Sequence, residues 1–132
     1  MHFLDKKLRN FWLHESRISG IVCEDTQLVI IFDKGFFGED HVQKNNCRIL
    51  VNIHELTPNN TGRYVNITRT QSIVKNEISL FKFNRLLNKY RFVVDLEYYS
   101  EFERSMFLIG YVNGAIFHFK ITDIDEISFF YE

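Results

Sequence analysis

The chain has 132 residues, a formal charge of -1, 45 % apolar and 16 % aromatic residues, with fourteen Phe and six Tyr. That is enough for one domain with a real core, and too apolar and aromatic for a disordered chain. Six Gly and one Pro exclude a collagen-like or linker composition. No apolar run approaches the length of a membrane span, and Met1-His2-Phe3-Leu4-Asp5-Lys6-Lys7 lacks the basic-then-apolar order of a secretion signal. A cytoplasmic location is therefore expected, with Cys23 and Cys47 as reduced, buried thiols.

In chain order, Leu4, Leu8, Phe11 and Trp12 have the spacing of a short helix within residues 2–15, with Trp12 as a lid on the core or a partner anchor. Ile18–Glu24 and Gln27–Asp33 read as a hairpin through Asp25-Thr26. A loop with Phe36 and Phe37 follows over 33–46, then a half-buried strand in which Cys47, Ile49, Val51 and Ile53 alternate with polar positions. Thr57-Pro58-Asn59-Asn60-Thr61-Gly62 is the clearest break. Tyr64–Thr70 is a further strand. Residues 71–78 give no clear pattern. Ser79 is placed to cap a helix from Leu80 to about Tyr90, with Leu80, Phe83, Leu87 and Tyr90 on one stripe. Phe92–Tyr99 alternates as a strand, with Phe92, Val94, Leu96 and Tyr98 on one face and Val93, Asp95, Glu97 and Tyr99 on the other.

The strongest local signal is Asn113-Gly114 between two β-favouring runs, which demands a type I′ hairpin. That turn sets Val112 against Ala115 and Leu108 against Phe119. One face then carries Leu108, Gly110, Val112, Ala115, Phe117 and Phe119 and belongs in the core, with Gly110 leaving room for Phe117. The other, amphipathic face carries Phe107, Ile109, Tyr111, Ile116, His118 and Lys120 and suits a helix, a partner, solvent or, through Ile109, Tyr111 and Ile116, a second copy of the chain. Ile127–Tyr131 closes the list. The expectation is a single α+β domain over 1–132: a mainly antiparallel, strongly bent sheet or partial barrel of seven or eight strands, with one or two packed helices.

Charge is uneven. Arg63 to Arg91 holds seven Lys or Arg and one acid, Glu77, whereas Asp95 to Glu132 holds eight acids against Arg104 and Lys120. The two segments either neutralise one another or form separate surfaces. A partner-facing reading selects Asp95, Glu97, Tyr98, Tyr99, Glu101, Glu103, Asp123 and Asp125, where carboxylates would steer a basic protein and a tyrosine would anchor it. His14, Glu15 and Arg17 form a second polar cluster, structural or binding. The basic 63–91 segment raises nucleic-acid binding, which the overall charge argues against. No His or Cys spacing fits a metal site. Asp123, Asp125 and Glu126 lack the glycine of a calcium loop, and Gly35-Phe36-Phe37-Gly38 matches no nucleotide fingerprint, so no cofactor is expected. A small enzyme or ligand-binding protein with His54, His118 or the acids in its pocket is the competing class.

Leu13-His14-Glu15-Ser16-Arg17-Ile18, followed by Leu28-Val29-Ile30-Ile31-Phe32, resembles the start of small, mostly uncharacterised bacterial proteins that open Leu-His-(Asp/Glu)-(Ser/Ala)-x-Ile. Some of these look like immunity proteins encoded beside polymorphic toxins. The match covers about 20 residues, and Glu15 stands where Asp is frequent. The resemblance implies a cytoplasmic β-rich binding module of a low-GC Gram-positive bacterium that inhibits a cognate toxin.

Overall fold

A computed structural model describes residues 3–5, 11–38, 46–71 and 74–131. Its strands are β1 (Phe3–Asp5), β2 (Phe11–Trp12), β3 (Arg17–Glu24), β4 (Gln27–Asp33), β5 (Phe37–Gly38), β6 (Arg48–Asn52), β7 (Val65–Gln71), β8 (Val74–Ile78), β9 (Phe92–Ser100), β10 (Ser105–Val112), β11 (Ala115–Ile121) and β12 (Glu126–Tyr131). The helices are α1 (Thr61–Tyr64) and α2 (Leu80–Lys89). Ten strands form one antiparallel sheet in the order β1-β12-β6-β4-β3-β9-β10-β11-β7-β8, and β2 pairs with β5 separately.

The expected strongly bent sheet or partial barrel is overturned. The sheet is neither closed nor strongly curled. Its strand order is linear, with β1 and β8 as opposite edges. Three of the extra strands come from segments read otherwise, among them β5, which lies inside the loop expected over 33–46. The proposed helix within 2–15 is replaced by β1, which pairs with β12 at the far end of the chain, and by β2, which pairs with β5; residues 6–10 lie outside the described residues. Helical spacing there yields to long-range pairing that no local pattern shows. β8 occupies the segment without a clear pattern.

Other elements follow local chemistry. Asn113 and Gly114 take φ +49° and +81°, and β10 pairs with β11 in the register the turn dictates. Asp25, at φ +54°, turns β3 into β4. Ser79 Oγ accepts from Lys82 N at 3.2 Å and starts α2.

The core is one cluster of buried residues. Phe83 of α2 meets Phe92, Phe117 and Phe119 with ring centroids 5.5–6.1 Å apart, so the helix covers the inner face of β9 to β11. Phe36 folds inward against Phe32 and Phe129 at 5.1 and 5.8 Å. The side chains of Trp12 and Phe37, and His41, lie outside what the structure describes. Cys47 is buried and Cys23 half-buried. Burial, and then Asp25, push the Cys23 thiol pKa up, so it favours the protonated form.

Candidate functional site

A one-residue bulge in β9 creates the site. Ile109 pairs with Leu96, but Gly110 pairs with Val94, leaving Asp95 as the extra residue. Slipping a strand by one residue exchanges its faces. Phe92 and Val94 are therefore buried, whereas Leu96 and Tyr98 are 55 % and 60 % exposed. The expected single face of Phe92, Val94, Leu96 and Tyr98 is corrected accordingly. Glu97 and Tyr99 instead turn towards the inner side, opposite Leu108 and Met106. The role expected for Gly110 also changes. A Cβ at this position would lie 2.2 Å from Val93 O and 2.8 Å from Phe92 Cζ, so the missing side chain admits β9 rather than Phe117.

The outer face of β9, β10, β11 and β7 is a grid. Tyr98, Phe107, Lys120 and Asn66 form one row, and Leu96, Ile109, His118 and Thr68 the next. Tyr111 and Ile116 face each other beyond them, both exposed. The Phe107 and His118 rings meet at 5.7 Å. Since α2 lies on the opposite face, these apolar side chains meet solvent.

β9 and β10 are joined by a turn over residues 101–104. Phe102 stands at its tip with 97 % of its surface exposed, between Glu101 and Glu103. The turn is braced from below. Ser100 Oγ accepts from Glu103 N at 3.1 Å, and Arg104 N donates to Glu101 O at 3.3 Å. Arg104 adopts φ +52°, its carbonyl accepts from Ile124 N at 3.0 Å, and its guanidinium lies 3.9 and 3.7 Å from Asp123 and Asp125. The braced backbone places the Phe102 side chain in solvent at a set point, which lowers the backbone part of the ordering cost of binding. Phe102 is absent from the expected partner-facing set; its local signal is an aromatic residue between two glutamates in a polar turn.

The expected acidic set divides. Asp95, Glu101 and Glu103 are exposed along β9 and its turn, and no Lys or Arg occurs from Phe92 to Glu103. Asp123 and Asp125 belong elsewhere, paired with Arg104 in a hollow of about 280 Å³ that Arg63 and His54 also line. Asp125 Oδ2 accepts from His54 N at 2.6 Å. These two acids brace the turn.

His14 and Glu15 do join the β9 acids. His14 Nδ1 lies 2.7 Å from Asp95 O and 4.0 Å from Asp95 Oδ1, and Glu15 N donates to Val94 O at 2.6 Å. Leu13 N donates to Glu97 Oε1 at 3.4 Å, while Glu97 Oε2 is buried without a hydrogen-bond partner. Burial pushes the Glu97 pKa up, and the Leu13 N–H and His14 draw it part of the way back. Burial, and then Glu101, also raise the Tyr99 phenol. Arg17 lines a different hollow of about 410 Å³, near Asp33, Lys89 and Arg91. There Arg91 Nε meets Asp33 Oδ2 at 3.2 Å, and Arg91 caps α2 through the carbonyls of Leu87 and Tyr90.

The basic segment is likewise dispersed. Arg63 lies by Asp123, Lys82 and Arg85 lie between α2 and β8, and Lys89 and Arg91 lie at the end of α2. His54 and His118 are on separate surfaces. Among the described residues, no group of three His, Cys, Asp or Glu could hold a metal ion, and no helix is long and apolar enough to cross a membrane. No protein-family model, curated protein or solved structure matches the chain.

Proposed function

We propose that the protein is a cytoplasmic protein-binding module that docks through the β9–β10 hairpin and the apolar outer face behind it. The carrying observation is Phe102, exposed on a braced turn between two glutamates at the end of the strand that also exposes Tyr98 and Leu96. Large exposed aromatic anchors are the side chains that dominate protein interfaces, and contiguous apolar patches mark them. Asp95, Glu101 and Glu103 make the β9 side of this surface acidic, against Lys120 on β11, so the partner is a basic protein with an apolar recess for the Phe102 ring. Binding of this kind works by occlusion and needs no reacting group. A basic toxin neutralised one-to-one is the partner to which the resemblance at Leu13–Ile18 points.

The test places a photo-reactive phenylalanine analogue at position 102 and, as a control, at exposed Asn59. Crosslinking of one basic protein from 102 and not from 59 supports the proposal. Equal crosslinking from both positions, or none from 102, overturns it. A crosslinked dimer of the chain itself would instead make the face with Ile109, Tyr111 and Ile116 a self-association surface.

A further inference from the structure

A second surface lies at the other end of this part of the sheet. Among the described residues β8 is an edge strand, paired with β7 alone. In an antiparallel edge strand, alternate residues turn their backbone N–H and C=O away from the neighbour. β8 leads into α2 through the single residue Ser79, so helix and strand edge are held side by side. Between them runs a groove of about 450 Å³ lined by Glu77, Ile78, Lys82, Arg85 and Leu86. Lys82, Arg85 and Leu86 are three and four residues apart and share one helix face. Ile78 and Leu86 are half-buried and packed against the core, giving the groove an apolar floor.

We infer that this groove binds an extended acidic segment of another protein, which adds a strand to β8 and sets its carboxylates against Lys82 and Arg85. An open strand edge beside a helix supplies both parts of strand addition: backbone hydrogen bonds for affinity and side-chain pockets for choice. Charge selects the occupant. Lys82 and Arg85 have no ion-pair partner among the described residues, and Glu77 is the groove's single acid. A second copy of β8 would bring the same cations together, which disfavours self-pairing. Four strand spacings, about 19 Å, separate β8 from β9, so the groove is independent of the hairpin anchor.

The test selects a displayed library of ten-residue peptides on the full chain and titrates the leading peptide by fluorescence anisotropy. The expected winners are acid-rich and β-favouring. The paired substitution Lys82→Glu and Arg85→Glu, on an exposed helix face, should weaken binding at least about tenfold. N-methylation of one alternate set of peptide nitrogens should abolish binding, and of the other set leave it intact. Phe102→Ala should have no effect. Absence of enrichment, winners without acids, or binding that survives the paired charge reversal would each overturn the inference. So would a concentration-dependent dimer lost on Asn76→Pro.

Discussion

Asn84 of α2 satisfies both backbone groups of Ile21: its Oδ1 accepts from Ile21 N at 2.8 Å and its Nδ2 donates to Ile21 O at 2.6 Å. The pair sits where the sheet is thinnest. Among the described residues β3 meets β9 only at Arg17–Val93 and Ile18–Phe92, and no strand pairs with β3 on that side past Ile18. One side-chain amide stands there in place of a neighbouring strand. Asn84→Ala leaves two partly buried backbone groups unpaired and should lower stability by about 2 kcal/mol. Asn84→Asp keeps the acceptor, loses the donor and should be at least as harmful. Urea unfolding of the two variants beside wild type measures both.

Gly110 should tolerate nothing larger. Its contact with Val93 O is backbone to side-chain position, with no flexible atom to give way. Gly110→Ala must push β9 from β10 at the bulge and should cost about 3 kcal/mol or more. Thermal unfolding by circular dichroism checks this. A neutral result would mean that the bulge at Asp95 is not held by Gly110.

Glu97 gives a pH dependence with a definite sign. Its carboxyl keeps a proton more readily folded than unfolded, because burial raises its pKa above the ordinary 4.5. Between the ordinary and the raised value the folded chain binds more protons, so this residue's contribution to stability falls as pH climbs through that window. Gln at 97 retains an oxygen for Leu13 N and has no carboxyl proton to lose. Glu97→Gln should match wild type in acid and exceed it at neutral pH, read from urea midpoints at the two pH values. A variant less stable than wild type at neutral pH would show that the ionised carboxylate is stabilised where it sits.

Glu101 and Glu103 act on encounter rather than on the fold. Both are exposed, and replacing both by Lys should leave stability within about 0.5 kcal/mol. Association with the basic partner should slow about tenfold at low salt, with the difference shrinking as salt rises. Stopped-flow mixing at two ionic strengths measures it. An unchanged on-rate would remove steering from the account.

The hairpin at Asn113-Gly114 and the Ser79-capped helix were legible because each is decided by a few adjacent residues. The face of β9 was not. Phe92, Val94, Leu96 and Tyr98 alternate without interruption, and only pairing with β10 shows that Asp95 is extra. The anchor is half visible: Tyr98 and the flanking acids carry a local signal, but the brace of the turn that holds Phe102 rests on Arg104, whose partners Asp123 and Asp125 are about 20 residues away. Those same acids looked like part of the binding face because separation in sequence hides that Arg104 neutralises them. Openness of the sheet is a property of its two edges, β1 and β8, and no local stretch encodes whether they meet.

Phe102 tests the central claim most directly. Its ring makes no core contact, so Phe102→Ala should unfold at the wild-type urea midpoint. Wild-type and Phe102→Ala chains, used as parallel baits in the cells that express the protein, should differ in one basic protein. That protein, once purified, should bind the variant at least about 2 kcal/mol more weakly, roughly thirtyfold. Equal recovery on both baits, with equal affinity for the purified partner, would contradict docking through the β9–β10 hairpin.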